Sequence, residues 1–297
     1  MKIVVTGSRG QLAQSLVERA CGRPDIEIIT VGRPDLDLAR METILPAIER
    51  CRPDLVVSAA AYTAVDQAES EAEKAFAINA LGAGAVAEAA ASLDVPVIHL
   101  STDYVFDGTK EGSYCEDDTP APLSVYGASK LAGERAVVTA NPLHVVLRTG
   151  WVYSPFGKNF VKTMLQLAED HEEIAVVNDQ WGNPSSALDL ADAILVAAGL
   201  MTQRNRDQVS GIYHLSGTGI ASRADLARHV LSVSGTHGGP SARVRNVPTT
   251  DFPAPARRPA NSSLSCARFA EIFGRTMPAW QPSAETTVRR LLRDRPG

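Results

Sequence analysis

Cysteine is scarce in this chain of 297 residues: Cys21, Cys51, Cys115 and Cys266 are far apart and form no C-x-x-C pair. That spacing excludes a disulfide framework or a cysteine metal site, and isolated thiols fit a reducing compartment, the cytoplasm. No apolar stretch reaches the roughly 18 residues that argue for a membrane span, so no membrane partner is expected. The opening MKIVVTGSRG lacks the form of a secretory signal, because a single lysine and a short apolar run lead directly to Gly and Arg. Basic residues are not in excess: 29 Lys and Arg stand against 34 Asp and Glu, a net charge of −5. That balance argues against a nucleic-acid surface, although a pocket can still be locally basic. The six histidines show no ligand spacing, so no metal is expected; His99 and His214 fall in strands and read as structural. What remains, 44% apolar and 21% charged residues, suits an ordinary globular core.

The first half alternates between two kinds of segment. Short apolar runs occur at 2–6, 26–31, 54–60, 95–101 and 144–149, and longer helical patterns lie between them at 10–21, 40–51, 70–93 and 126–140. Strands alternating with helices predict βαβ units and a parallel sheet, and runs without polar alternation suit strands covered on both faces. Beyond residue 150 the rhythm loosens. Strands are predicted at EIAVVND, GIYHLSG and ARVRNV. Helices are predicted at SSALDLADAILVAAGL, at SRADLARHVLSV with Ser222 as N-cap, near 266–273 and near 283–294. Residues 1–150 thus read as one domain. Residues 151–297 read as a smaller lobe over its strand ends, with some segments interleaved with the first.

The first strand runs into VVTGSRGQLAQSL, where Gly7 and Gly10 precede a helix and Ala13 takes the third small position. Glycine permits the tight turn and lets backbone approach a pyrophosphate at the helix N-terminus. The plain alternative is an ordinary strand-to-helix turn. With the strand alternation, the motif predicts a Rossmann-type doubly wound α/β fold binding NAD(P). After the second strand, VGRPDLDL offers Arg33 to a 2′-phosphate, which favours NADPH, with NADH the alternative. Arg33 could equally be an exposed loop arginine, and Asp37 and Leu38 could border the adenine.

Tyr126 and Lys130 in SVYGASK are four residues apart, so both project from one helix face. A free phenol, with a pKa of about 10, is a poor acid at neutral pH, and a nearby ammonium lowers it toward use. The spacing alone is weak. Its context is HLSTDYVFDG, which sets Ser101 and Thr102 at the carboxyl end of a parallel strand, where ligands of such sheets bind. A hydroxyl there can polarise a carbonyl, or can simply end a strand by bonding backbone.

TGSRGQLA, AAYTAVDQAE, STDYVFDG, YGASKLAGE, RTGWVYSPFGKNFV, DQWGNPSSA and ARRPANSSLS follow one another in the chain. In this order they resemble the extended short-chain dehydrogenase/reductases and, within them, the dTDP-4-dehydrorhamnose reductase family. The resemblance covers most of the chain. It implies NAD(P)H-dependent reduction of the C4 ketone of dTDP-4-dehydro-L-rhamnose, with Tyr126 as proton donor and Lys130 lowering its pKa and binding ribose. It implies that Thr102 holds the carbonyl with Asp103 beside it, and that Gly10, Gln11 and Leu12 cover the pyrophosphate. Asp37 and Leu38 would border the adenine, and Ala61, Tyr62 and Thr63 would line the cofactor. Trp151 would contact the sugar nucleotide. Lys158, Asn159, Arg257 and Arg258 are candidates for its diphosphate and pyrimidine.

Some members of that family dimerise through Mg²⁺ held by glutamates, at positions that match Ser15 and Leu188 here. Neither is a good ligand for a cation that prefers carboxylate oxygen, so a monomer without a metal bridge is expected, a homodimer being the alternative. Two other functions stay open. One is an epimerase or dehydratase on a sugar nucleotide, although STDYVF lacks the second acidic residue a dehydratase needs. The other is a non-catalytic subunit like the β subunit of methionine adenosyltransferase, against which the Thr102, Tyr126 and Lys130 set weighs.

Overall fold

Each apolar run of the first half is a strand of one sheet in the computed structural model, which describes residues 1–203 and 206–294. These strands are β1 (Lys2–Thr6), β2 (Glu27–Val31), β3 (Leu55–Ser58), β4 (Val97–Thr102) and β5 (His144–Thr149). Between them lie α1 (Gln11–Ala20), α2 (Ile44–Glu49), α3 (Val65–Ala68), α4 (Ala72–Phe76), α5 (Ala83–Ser92) and α6 (Val125–Ala140). A π-helical segment, Ala77–Gly82, joins α4 to α5. The rest of the chain gives β6 (Val152–Tyr153), α7 (Phe160–Asp170), β7 (Glu173–Val177), β8 (Trp181–Gly182) and β9 (Ser185–Ser186). Then follow α8 (Ala187–Met201), β10 (Gly211–His214), β11 (Ala221–Ser222), α9 (Arg223–Thr236), β12 (Arg243–Val247), α10 (Ala267–Phe273) and α11 (Trp280–Arg293).

The main sheet has the order β2-β1-β3-β4-β5-β10, every neighbouring pair parallel. The chain moves outward from β1 to β2 and then returns to the other side at β3. The carboxyl ends of β1 and β3 therefore open the crevice where such sheets bind ligands. Both faces are covered, which explains the unbroken apolar runs. Ile3 and Val5 of β1 pack with Leu16 of α1 and Leu190 and Ile194 of α8, while Val4 packs with Ile44, Ile48 and Val86 on the opposite face.

The helical run Ala72–Ser92 contains an 18-residue window of mean hydropathy 1.3, long and apolar enough to cross a membrane, contrary to the sequence expectation. Alanine supplies most of that apolarity, and the run packs against α6 and the sheet, the setting of a core helix. Three segments from the second half also belong to this layer. α8 lies against α1, β10 extends the sheet beside β5, and Phe269 and Phe273 of α10 close the same face. A separate apolar core, including Tyr153, Leu165, Ile174, Leu226, Val230 and Val288, joins α7, α9 and α11 to the parallel pair β7–β12. Helix α9 begins on the Ser222 side chain in a capping box with Asp225. Helix α11 starts at Trp280, three residues earlier than its sequence pattern suggested.

Candidate active site

The glycine turn lies at the switch point. Gly7 has φ +89°, and a Cβ there would stand 3.2 Å from the Ala60 side chain at the end of β3. Only glycine takes that conformation without strain. Gly10 is the N-cap of α1 and supplies no side-chain cap, so the first amides of the helix keep their attraction for an anion. A phosphate-bearing cofactor fits that backbone. Gln11 accepts from Ser154 Oγ at 2.8 Å and from Asn159 Nδ2 at 3.1 Å, which ties the turn to the second half. Leu12 packs against the core. Arg33 is exposed after β2, near enough to Lys74 for the two cations to oppose each other. Asp37 accepts from the Ala39 amide, and Leu38 is buried in the core. After β3, Ala61 is half-buried and Thr63 exposed. Tyr62 is clamped between them: its N–H donates to Asn79 Oδ1 and its carbonyl accepts from Asn79 Nδ2. Asn79 also donates to Ser129 Oγ at 3.0 Å, so one buried amide joins this loop to α6.

Helix α6 starts where the Ser124 hydroxyl accepts from the Gly127 amide at 3.2 Å, which puts Tyr126 in its first turn. Gly127 allows a close approach: a Cβ there would fall 2.2 Å from the Tyr104 carbonyl. The Tyr126 hydroxyl lies close enough to Thr102 for that hydroxyl to favour its ionised form, and its ring meets Tyr104 edge-on at 6.0 Å. Thr102 donates to Asp103 Oδ1 at 3.0 Å. Burial holds the Asp103 carboxyl up at about 6, against the Ser262 and Thr102 hydrogen bonds and the Arg223 cation. The Lys130 ammonium donates to the Leu100 carbonyl at 2.6 Å and is lowered to about 8 by burial, with Glu134 opposing.

One expectation is corrected here. The phenol of Tyr126 stands above its ordinary value, not below it. Burial is the largest cause, and Thr102 only partly opposes it. The Lys130 ammonium is turned to the carbonyl of β4, so burial outweighs any charge effect on the phenol.

Trp151 sits at φ +52°, which costs a bulky residue about 1–2 kcal/mol. Its indole N–H donates to Ser262 Oγ at 3.2 Å, and the Arg223 guanidinium stacks on the ring at 3.5 Å. Arg258 binds Asp66 with two bonds, 3.1 and 2.8 Å, and its cation lies near Tyr104. Thr102, Asp103, Tyr126, Trp151 and Arg258 thus gather around Tyr104, Arg223 and Ser262. Asn159 does not join them: it caps α7 and bonds Gln11, the Ser154 carbonyl and Lys162 N. Lys158 and Arg257 are exposed. Sequence reasoning missed Arg223, since nothing local links α9 to Trp151. Ser262 could have been found, because it lies within ARRPANSSLS. Ser15 and Leu188 are buried where α1 packs on α8, and the Leu188 carbonyl accepts from Arg19 Nε.

A parallel sheet with a glycine turn at its switch point, facing a tyrosine and lysine on one helix, defines a nicotinamide-dependent reductase of the extended short-chain class. The family model described as "RmlD substrate binding domain" matches residues 1–293. A dTDP-4-dehydrorhamnose reductase of Sinorhizobium fredii is 51% identical, with 98% of each chain covered. The crystal structure of a dTDP-4-dehydrorhamnose reductase from Clostridium acetobutylicum superposes with a TM-score of 0.90 at 34% identity, covering 98% of this chain and 100% of that one. The enzyme of that name from Bacillus anthracis, in complex with NADP, gives 0.89 at 34% identity, covering 97% and 99%. The chain belongs to the dTDP-4-dehydrorhamnose reductase family.

Proposed function

We propose that the chain reduces the C4 ketone of dTDP-4-dehydrorhamnose to the alcohol of dTDP-L-rhamnose, with NADPH as reductant and Tyr126 as the proton source. The single observation that carries this reading is the meeting of the Tyr126 hydroxyl with Thr102 at the carboxyl end of β4, close enough for Thr102 to act on the phenol's ionisation. The family's named members and the NADP complex of the Bacillus anthracis enzyme support substrate and cofactor.

Gly7, Gly10 and the first amides of α1 would hold the pyrophosphate, and Arg33 the 2′-phosphate. When bound, NADPH supplies the hydride. The chain's own residues orient the ketone and supply the proton. Thr102 bonds the carbonyl oxygen as negative charge develops there, and Tyr126 passes its proton to that oxygen. A phenol held protonated by burial cannot lose its proton to solvent beforehand, and the developing alkoxide is basic enough to take it. Lys130 stabilises the phenolate left behind. Trp151, Asp103 and Arg258 hold the sugar nucleotide.

The test is NADPH oxidation with dTDP-4-dehydrorhamnose. Wild type turns over, and Tyr126→Phe loses about a hundredfold or more in kcat, the size of an acid-catalysis term. Turnover by Tyr126→Phe equal to wild type would remove Tyr126 as the acid. An inactive, folded wild type would remove the substrate assignment.

A further inference from the structure

His99 lies in mid-β4 and takes no part in the chemistry above. It is fully buried, as are Ser58 and Lys130 on either side of it. Its Nε2 is 3.3 Å from Lys130 Nζ, and its Nδ1 is 3.1 Å from Ser58 Oγ. The β3–β4 register pairs Ser58 directly with His99, so the sheet itself sets this contact.

The protons in this row follow from elementary chemistry. An ammonium can only donate, so Nε2 must accept. A neutral imidazole then carries its proton on Nδ1, which donates to the Ser58 hydroxyl oxygen. Burial and the Lys130 cation hold the ring well below the usual histidine range, so it stays neutral. The groups acting on Lys130 are Glu134 of its own helix and His99 of β4, with Tyr126 one turn earlier on the same helix. Arg148 of β5 acts through Glu134, which it binds at 2.9 and 2.8 Å, and Ser101 donates to the same carboxylate. Two of the three ammonium protons go to Leu100 and His99, which leaves one for a ligand or the phenolate.

We propose that His99 is a positioning residue for Lys130: its Nε2, an acceptor while Nδ1–H is held by the Ser58 hydroxyl oxygen, aims the ammonium so that its third proton faces the reaction. The proposal rests on the reading of Tyr126 and Lys130 given above. It extends the reacting group into the sheet, to His99 and Ser58 in the middle and at the end of paired strands, side chains outside the proposed substrate contacts.

The test combines variants with a direct look at the ring. His99→Leu removes the acceptor; kcat falls about tenfold or more while KM for the sugar nucleotide stays within about twofold. Its alkaline limb moves to lower pH, because an ammonium that loses an acceptor loses its proton more easily. His99→Gln, whose amide oxygen can take the place of Nε2, recovers most of the rate and returns the limb. In wild type, ¹⁵N NMR of histidine-labelled protein shows the neutral Nδ1–H tautomer of His99 throughout about pH 6 to 8. A His99→Leu enzyme with wild-type rate and limb, beside an inactive Lys130→Met, overturns the proposal and spares the role of Lys130. A fully active Lys130→Met overturns both. An Nε2–H tautomer or an imidazolium in wild type overturns the proposal even if His99→Leu fails to fold.

Discussion

Asp103 pairs an unfavourable position with a pH dependence that can be signed. Its carboxyl is raised from the usual 3.8 to about 6, mainly by burial. The folded state therefore binds the proton more tightly than the unfolded one. Below about pH 4 both states are protonated; as pH rises toward 6 the unfolded state ionises first and stability is lost, by roughly 3 kcal/mol at most. Asp103→Asn keeps the neutral shape, so it should raise Tm more at pH 7.5 than at pH 5, measured by thermal melts. An equal shift at both values would show that Asp103 is not the titrating group. Lys130 sets the other side of the profile. With the phenol kept protonated by burial, the alkaline fall in kcat/KM should report the ammonium, near about pH 8. A profile flat to pH 10 would contradict that assignment. At this scale the sequence was readable where residues sit one helix turn apart, as Tyr126 and Lys130 do, or end a strand, as Thr102 does. It gave the wrong direction for the phenol's shift, down instead of up, because burial comes from elements far along the chain. It was silent on Arg223 for the same reason.

Helix α6 carries the reacting pair, and two small features at its start aim it. The Ser124 cap fixes the first turn, and Ser124→Ala should lower stability by about 1 kcal/mol, read from chemical denaturation. Gly127 matters more for chemistry than for stability. A methyl group there would collide with the Tyr104 carbonyl, so Gly127→Ala must move α6 away from the end of β4. The expected result is a loss of about tenfold or more in kcat, since misplacing a reacting group by an ångström can remove that much. Wild-type turnover by a folded Gly127→Ala would show that the contact relaxes without moving Tyr126. Strand runs and most helix spans were legible from periodicity, because strands covered on both faces leave unbroken apolar runs. The π segment at 77–82 was not, since its apolar pattern continues that of the flanking helices, and it lies where the Asn79 carbonyl comes close to Gly133 of α6.

Across the whole molecule, the return of α8, β10 and α10 to the main sheet binds the two halves into one folding problem. Leu190, Ile194, Leu195 and Met201 cover strands that residues 1–150 alone would leave in water, and each is worth about 1.5–3 kcal/mol when buried. A fragment ending at residue 150 should therefore aggregate or lack fixed tertiary structure, judged by near-ultraviolet circular dichroism. A well-folded, cooperative fragment would mean that the first half carries its own core. The sequence suggested interleaving without saying which segments return, because SSALDLADAILVAAGL reads as a buried helix in either place. Localisation to the cytoplasm and the monomeric state remain proposals, the latter resting on Ser15 and Leu188 where glutamates would bridge a metal; sedimentation of the purified chain with and without Mg²⁺ tests it.

The wide turn at 77–82 has one more consequence. Each residue of regular winding turns a helix by about 100°. Deleting one amino acid between 77 and 79 and letting the coil tighten would swing the Asn79 amide round by that angle, away from both Tyr62 and Ser129. The chain would lose the bracket between its cofactor loop and its reacting helix while every named catalytic side chain stayed in place. A shortened protein of that kind should fold, bind dinucleotide poorly and turn over slowly, an outcome no point substitution in the cleft would mimic.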